Sequence, residues 1–409
     1  MVMSFSAERE SPIGLLRRIS TASSLEDGAF TLVLPVLAQQ STGDLGVAAV
    51  FVAVTAPWAL VSLPVGYLAD HMSRTRLLRI TAFARTGLAA VLAVLCAFGN
   101  PMPELIAVLA FGLSSCGVAS EIARQALVPQ LVADSSRLVS ANTEIAKVSQ
   151  LYGGFVGPLV GGWLLLWSQS LATASLAVFA AITLLVTLGL PGTPALRDEP
   201  MRMRTMMTAG LGGFHQIYHH RMLLTLASLS FTVSTVWYVW ETSFTAFALS
   251  DSGLGASSLT YSFLLLAGAA GALVGSQVVQ PITRRFPLRT TLAMSLAGWA
   301  VWFLVPALTS HWLPIVCCLV LGGGVGLMWN TISITARQLV TSGHLLGRTT
   351  AAYRMVTRTG RALGAALAGL LMSHTSWHIF GSCAIVIGVV AVGIITFYRD
   401  RLMLEPEAR

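Results

Sequence analysis

Charged residues are scarce in this sequence of 409 residues: they make up only 10% of it, and lysine occurs once, at Lys147. Soluble domains carry about one-quarter charged residues. Hydrophobic residues account for 55%, and the mean hydropathy is +0.74. This balance excludes a water-soluble globular fold and indicates a chain that lies largely inside a lipid bilayer.

Residue patterns that carry enzyme or cofactor chemistry are also absent. The five cysteines show no CxxC or Cys/His spacing for a metal or redox centre, so we interpret them as small apolar packing residues. No Walker-type phosphate loop occurs, which excludes nucleotide hydrolysis by this chain. No nucleophile, base and metal set is apparent either. The sequence therefore predicts a protein that is not an enzyme and holds no cofactor.

The net charge of +8 does not indicate a nucleic-acid partner, because the basic residues are dispersed between apolar stretches and form no single patch. Near the N-terminus, Arg17 and Arg18 lead into a full-length apolar segment. That segment has no obvious cleavage site of small residues, so we expect it to be retained and not removed as a signal peptide.

Twelve apolar stretches are long enough to cross a bilayer, which takes about 20 residues of helix. They lie near residues 17–38, 46–68, 78–98, 104–124, 145–167, 171–190, 222–248, 257–281, 290–308, 312–335, 352–372 and 377–398. An even number of spans places both ends of the chain on one side. The predicted fold class is an all-α membrane protein with twelve transmembrane helices.

Arginines are confined to alternate loops, which sets the predicted orientation. They precede the first span and follow each even-numbered span, whereas the opposite loops contain neither lysine nor arginine. Cytoplasmic loops are the ones enriched in basic residues. Both termini and the arginine-rich loops are therefore predicted to be cytoplasmic.

The longest polar interruption, residues 191–221, contains three prolines and mixed charges and is the predicted linker between two six-helix bundles, 1–190 and 222–409. Sequence motifs of the first bundle repeat in the second. An Arg-Gln pair that begins at Arg124, at the end of span four, recurs at Arg337, at the end of span ten. Duplicated halves of this kind place the substrate site between the bundles, near the middle of the membrane.

The loop after span two reads Gly66-Tyr-Leu-Ala-Asp70-His-Met-Ser-Arg74-Thr-Arg76. It resembles the loop signature of the major facilitator superfamily, glycine-x-leucine-alanine-aspartate followed by basic residues, although a histidine and a serine replace a usual cation and a second glycine. We expect Gly66 to allow close helix approach and Asp70 to face a helix N-terminus or a cation. Arg74 and Arg76 are expected to form ion pairs that break when the halves rock. The alternative is a polar turn whose arginines only set topology.

Span five carries Gly153, Gly157, Pro158, Gly161 and Gly162. This pattern resembles the fifth-helix signature of superfamily members that export their substrates, especially drug:proton antiporters. The first, second and fourth of these residues share one stripe of a helix, where a neighbouring helix can pack closely, and Pro158 is expected to introduce a bend. A generic small-residue packing face is the alternative.

Cytoplasmic connections add to this resemblance. The segment from Arg124 to Pro129, followed by Asn142, is similar to the connection in the subgroup that includes macrolide-type and siderophore exporters. For Glu121 and Arg124 the resemblance implies an ion-pair relay with Asp70 and Arg74. A solvated interfacial pair, which contributes little, is the alternative.

Three carboxylates are predicted inside spans, where ionisable groups are costly and mark candidate functional sites. Glu26 and Asp27 lie in span one, and Glu241 lies in span seven. The resemblance implies that spans one, four, seven and ten line the central cavity, so at least one of these acids is expected in the transport path. Such a carboxylate can bind and release a proton. The alternative is an acid that only pairs with arginine or caps a loop.

Span eleven carries Arg354, Arg358 and Arg361 at helical spacing. Snorkelling toward the cytoplasmic interface explains most of these side chains. Arg361, the deepest, is predicted to serve a partner acid.

Aromatic residues cluster in two of the spans expected to line the cavity. The candidates for a wall that suits a bulky amphiphilic substrate are Trp237, Tyr238, Trp240, Trp329 and Asn330. An interfacial aromatic belt or core packing is the alternative.

Together these features predict a secondary transporter that exports hydrophobic or amphipathic small molecules, such as drugs or secondary metabolites, in exchange for protons. Its predicted partners are the small molecule, protons and the lipid bilayer. We expect it to function as a monomer in a bacterial inner membrane. Two alternatives stay open: uptake of a nutrient or lipid-like substrate, and a receptor or enzyme on a transporter-like scaffold.

Overall fold

The computed structural model describes residues 12–99, 102–131, 144–145, 147–192, 213–341, 346–371 and 376–397. Its main elements are α1 (Pro12–Thr42), α2 (Asp44–Leu60), α3 (Ser62–His71), α4 (Arg74–Phe98), α5 (Pro103–Leu131), a π-helical turn (Tyr152–Val156), α6 (Gly157–Trp167), α7 (Gln169–Leu188), α8 (Arg221–Leu249), α9 (Ser258–Arg285), α10 (Leu288–Leu308), α11 (Trp312–Val340), α12 (Leu346–Leu371) and α13 (Ser376–Phe397). No strand is found among these residues.

These helices form twelve rods. α2 and α3 are one bent rod, because the helix is interrupted only at Val61. The π-helical turn and α6 form another continuous rod. Each rod coincides with one of the twelve predicted apolar stretches, and the prediction of an all-α membrane fold is confirmed.

Eight of the helices are long and apolar enough to cross a membrane, judged by length and composition: α4, α5, α7, α8, α9, α10, α11 and α13. Four rods remain. Two are the interrupted rods, α2 with α3 and the π-helical turn with α6, and the other two are the continuous helices α1 and α12. α1 contains Glu26 and Asp27, and α12 contains four arginines. Because a charge inside a membrane span is costly, these two rods are where a functional site is expected.

Pro158 explains the local shape of the fifth rod. A proline has no N–H to donate, and its ring collides with the carbonyl four residues earlier in a regular helix. Here Tyr152–Val156 adopts a π-helical turn directly ahead of the proline, and the N–H of Gly157 donates to the carbonyl of Tyr152. The bend expected at Pro158 thus takes the form of a wider turn that makes room for the ring.

Arg79, near the start of α4, has a structural role beyond setting topology. Its guanidinium donates to the carbonyls of Thr187, Leu188 and Leu190 at 2.8–3.2 Å. The last carbonyls of a helix have no partner within the helix, and a cation there interacts favourably with the helix dipole. Arg79 therefore caps the end of α7.

The interior of the chain from α8 to α13 is unusually aromatic. Trp240 is 1% exposed. Its ring stacks on Phe244 with centroids 4.6 Å apart, and its Nε1–H donates to the carbonyl of Phe303 at 3.3 Å. This packing places Trp240 in the core of these helices, so its predicted place in a cavity wall is not what the structure shows.

Candidate functional site

A cavity of about 900 Å³ lies between the N-terminal half (α1 to α7) and the C-terminal half (α8 to α13). α1, α2, α4 and α5 form one wall, and α8, α10, α11 and α12 form the other. Its charged and aromatic lining residues include Asp27, Trp58, Arg85, Glu121, Trp237, Tyr238, Trp299, Trp329, Arg337, Arg354, Arg358 and Arg361. A cavity of this size accommodates a drug-sized molecule.

A cluster of three charged side chains lies at the N-terminal wall. Arg85 Nε donates to Glu26 Oε1 at 2.8 Å, and Arg85 Nη2 donates to Asp27 Oδ1 at 2.7 Å. The side chains of Arg85 and Glu26 are 5% and 3% exposed, whereas that of Asp27 is 47% exposed and lines the cavity. Two carboxylates share one guanidinium, so the fully ionised cluster holds one surplus negative charge.

Arg85 is the member of this cluster that sequence reasoning missed. It lies inside the third predicted span, flanked by apolar residues, and not in one of the loops where arginines were used to set topology. An arginine within a span is the same signal that singled out Glu26 and Asp27. That signal was sufficient to find Arg85 as well.

The third predicted acid, Glu241, is not among the residues that line the cavity. Its Oε2 accepts a hydrogen bond from Trp237 Nε1 at 3.3 Å, and Trp237 itself lines the cavity. Arg361 is close enough to interact with Glu241 electrostatically. Of the predicted aromatic set, Trp237, Tyr238, Trp329 and the adjacent Asn330 do line the cavity.

Two arginines tie helices together at the end of the bundle where α4 begins and α5 ends. Arg124 forms an ion pair with Glu121 and donates to Ser23 Oγ on α1 at 2.6 Å. Arg74 is 8% exposed and donates to the carbonyl of Ala126 on α5. The helices of the N-terminal half are therefore cross-linked at this end by buried guanidinium groups.

Other residues of the predicted loop motif contribute less here. Arg76 is exposed. A Cβ added to Gly66 would meet nothing within 4 Å, so the described part of the chain shows no close helix approach at this glycine. The side chain of Asp70 lies outside the described residues, and its predicted role stays a prediction.

The span-five glycine stripe faces α1. Gly153, Gly157 and Gly161 all pack against that helix, and a Cβ added to Gly157 would lie 2.7 Å from the carbonyl oxygen of Leu25. Two backbones this close leave no room for a side chain. The stripe is therefore a seam within the N-terminal half.

Gly162 and the backbone carbonyl of Pro158 face the other way, toward α9 of the C-terminal half. Ser258 Oγ donates to the carbonyl of Gly162 at 3.2 Å, and Ser262 Oγ donates to the carbonyl of Pro158 at 3.1 Å. These bonds join the two halves directly. We call this contact the α6–α9 seam.

The two halves contact each other at one end of the bundle, and the cavity lies between them toward the other end. The α6–α9 seam lies where α9 begins, and Ala48, near the start of α2, packs against Gly369 of α12 at the same end. The cavity wall continues in the opposite direction to Gln125 and Arg337, near the ends of α5 and α11. There Arg354 donates to Gln125 Oε1 at 3.2 Å across the halves. The cavity thus extends from mid-helix toward the arginine-rich end of the bundle.

Two helical halves around a charged central cavity define a membrane transporter. Residues 19–339 and 229–408 match the family model described as Major Facilitator Superfamily. The chain belongs to this superfamily, whose members are transporters and not enzymes.

Relatives in the superfamily match along most of the chain. A protein named multidrug efflux pump Tap from Mycobacterium tuberculosis is 25% identical over 420 residues, covering 97% of this chain and 96% of that protein. A protein named enterobactin exporter EntS from Citrobacter koseri is 27% identical over 361 residues, covering 84% of this chain and 80% of that protein.

Solved structures share the fold at low identity. A bacterial homologue of the human lysosomal transporter Spinster, described as inward-facing and unoccupied, has a TM-score of 0.71 and 14% identity, covering 98% of this chain and 99% of that one. The peptide transporter POT in complex with sulfate has a TM-score of 0.74 and 14% identity, covering 96% of each chain. These likenesses concern the fold alone.

Proposed function

We propose that this protein is a proton-coupled exporter of amphipathic small molecules that works by alternating access in a bacterial inner membrane. The observation that carries the proposal is the cluster in which Glu26 and Asp27 share Arg85 beside the cavity. The names of the efflux and exporter relatives, which match over most of the chain, support export.

The cluster has the charge balance that proton coupling needs. A surplus negative charge in a low-dielectric interior is costly, and binding one proton removes it. Asp27 is accessible from the cavity and Glu26 is buried, so the proton reaches Asp27 first. A substrate that fills the cavity covers Asp27. Substrate and proton therefore reach the site in alternation, as exchange requires.

The orientation of the cavity supports binding of cargo from the cytoplasm. Basic residues mark the cytoplasmic side of a membrane protein, and the cavity extends toward the arginine-rich end. We infer an inward-facing state with both termini in the cytoplasm. Residues 1–190 and 222–409 would rock about the closed end as two bodies joined by the linker 191–221, within a single monomer.

Replacing Asp27 with asparagine (Asp27→Asn) is expected to lower proton-driven accumulation by about tenfold or more, a loss of about 1.4 kcal/mol of coupling. The amide keeps the shape of the side chain but cannot bind and release a proton. The measurement is accumulation of fluorescent amphipathic compounds, spanning anionic, neutral and cationic members, in everted vesicles with an acidic interior.

The matched control for this variant is Asp251→Asn, because Asp251 is an exposed acid away from the cavity. It should accumulate compounds as the unmodified protein does. Unchanged proton-driven accumulation in both Asp27→Asn and Glu26→Gln would refute the role of the cluster. Accumulation by right-side-out vesicles instead of everted ones would identify an uptake transporter.

A further inference from the structure

We propose that the C-terminal wall of the cavity is a binding site for an organic anion, so that the cargo carries a carboxylate or similar group on an apolar, ring-bearing body. The proposal rests on the proposed function, since it names the chemical class of the cargo. Four arginines line this wall: Arg337 on α11 and Arg354, Arg358 and Arg361 on α12.

Among the described residues, none of these four arginines forms an ion pair with an acid, although Arg361 interacts electrostatically with Glu241. The ion pairs found there, with nitrogen and oxygen within 4.0 Å, involve Arg85 and Arg124 instead. Besides Asp27, the acid in the cavity wall is Glu121, and its carboxylate is already engaged by Arg124 and Gln125. Glu241 balances at most one of the four positive charges of the C-terminal wall, and the other three have no free acid among the described residues to neutralise them.

Aromatic rings hold three of these guanidinium groups in place of carboxylates. The distances from guanidinium carbon to ring centroid are 3.7 Å for Arg337 over Tyr353, 4.0 Å for Arg358 over Trp58 and 5.3 Å for Arg361 over Tyr238. A ring face attracts a cation but leaves its charge intact. Unpaired charges at membrane depth are costly, and a bound anion would remove that cost.

Arg337 combines burial, fixed contacts and an unused donor, which suits it for binding an anion. It is 8% exposed, yet its Nη1 has no hydrogen-bond partner among the described residues. Its Nε donates to the carbonyl of Ser333 at 3.2 Å. Tyr353, the ring beneath it, is fixed because its hydroxyl donates to the carbonyl of Leu226 at 3.3 Å and also shares a hydrogen bond with Ser333 Oγ at 2.7 Å. The unpaired donor is thus held rigidly in the cavity wall.

A second unpaired donor lies in the same wall. Trp299 lines the cavity, and its Nε1 is buried with no partner among the described residues. Buried polar groups are normally hydrogen-bonded, and an exception calls for a ligand or water. Two unpaired donors favour a ligand rich in acceptor oxygens, while the rings of Trp58, Trp237 and Trp329 suit its apolar body.

The test is a binding assay on the purified full-length protein in nanodiscs of neutral phosphatidylcholine. The probes are matched triplets that share one aromatic body, for example 2-naphthoate, 2-naphthamide and 2-naphthylmethylamine, repeated on three bodies of increasing size. We expect the carboxylate of at least one triplet to bind about tenfold tighter than its amide, and the amine to bind most weakly.

Substitutions of cavity arginines test whether the preference for carboxylate over amide arises in the cavity. Arg337→Gln and Arg358→Gln are each expected to reduce the ratio of carboxylate to amide affinity to near unity. Arg285→Gln, which removes an exposed arginine at the end of α9, should leave the ratio unchanged. Equal affinity within every triplet, preference for the amine, or a carboxylate preference that survives both cavity variants would each overturn the proposal.

The headgroup of an anionic lipid is a second source of an anionic group for these arginines. Adding phosphatidylglycerol to the nanodiscs should leave carboxylate binding intact, and loss of that binding would assign the arginines to a lipid headgroup and overturn the proposal. Because the assay uses no proton gradient, its outcome is independent of the coupling proposal: a protein that binds carboxylates but shows no proton-driven flux contradicts only the latter.

Discussion

Replacing Arg85 with methionine (Arg85→Met) is expected to lower the free energy of unfolding by about 3–5 kcal/mol, because breaking a buried ion pair leaves carboxylates without a counter-charge. Glu26 carries most of the effect, since its side chain is 3% exposed, whereas that of Asp27 is 47% exposed and partly screened. The measurement is denaturant unfolding of the purified protein in detergent. Proton-driven transport should be lost in the same variant.

A second substitution separates charge from packing. In the double variant Arg85→Met with Glu26→Gln the uncompensated buried charge is gone, so most of the lost stability is expected to return while transport stays absent. Arg285→Met is the matched control, because that arginine is exposed, and it should unfold as the unmodified protein does. If the double variant is no more stable than Arg85→Met alone, the cluster is held by packing and not by its charges.

The fold was predictable because it depends on properties that a sequence displays directly. A helix must carry about 20 apolar residues to cross a bilayer, and arginines in alternate loops fix the number of crossings. The structure adds what those patterns do not contain, such as the π-helical turn before Pro158 and the use of Arg79 to cap α7. The Arg79 cap depends on atoms distant in the sequence, and Pro158 predicts a bend without saying that the bend takes the form of a π-helical turn.

The site was predictable only in part, because the orientation and depth of a helix are set by its neighbours. Trp237 lines the cavity, whereas the side chain of Trp240 points about 60° away from it around the α8 axis and packs in the core. Glu241 lies on the same face as Trp237 but one turn nearer the closed end. Helical periodicity predicts which residues share a face, and it does not say which face meets the cavity or where the cavity stops.

Gly157→Ala is expected to lower the free energy of unfolding by about 1–3 kcal/mol or more, because small-to-large changes in a packed interior force the backbone to move. The added Cβ would lie 2.7–2.9 Å from three backbone atoms of α1, in Leu25, Gly28 and Ala29. Backbone atoms of a packed helix cannot swing aside as a flexible side chain can. The measurement is denaturant unfolding, with Gly381→Ala as control, since a Cβ there meets nothing within 4 Å.

Gly162→Ala is expected to shift the equilibrium between conformations of the transporter and to leave the free energy of unfolding unchanged. The reason is that Gly162 faces α9 of the C-terminal half and not α1. Its added Cβ would overlap Ser262 Oγ and lie 2.9 Å from the carbonyl of Ser258 across the α6–α9 seam. Pushing the seam apart favours opening of the end that is closed in this structure.

The variant Thr31→Cys, made in a protein whose native cysteines are replaced, places a thiol in the cavity wall that reports this opening. Labelling by a membrane-impermeant thiol reagent from the side of the α6–α9 seam should become about tenfold faster, which is about 1.4 kcal/mol in the equilibrium between states. Unfolding of Gly162→Ala to the same degree as Gly157→Ala, or labelling at the unmodified rate, would mean that the α6–α9 seam is part of a fixed core and that the halves do not separate there.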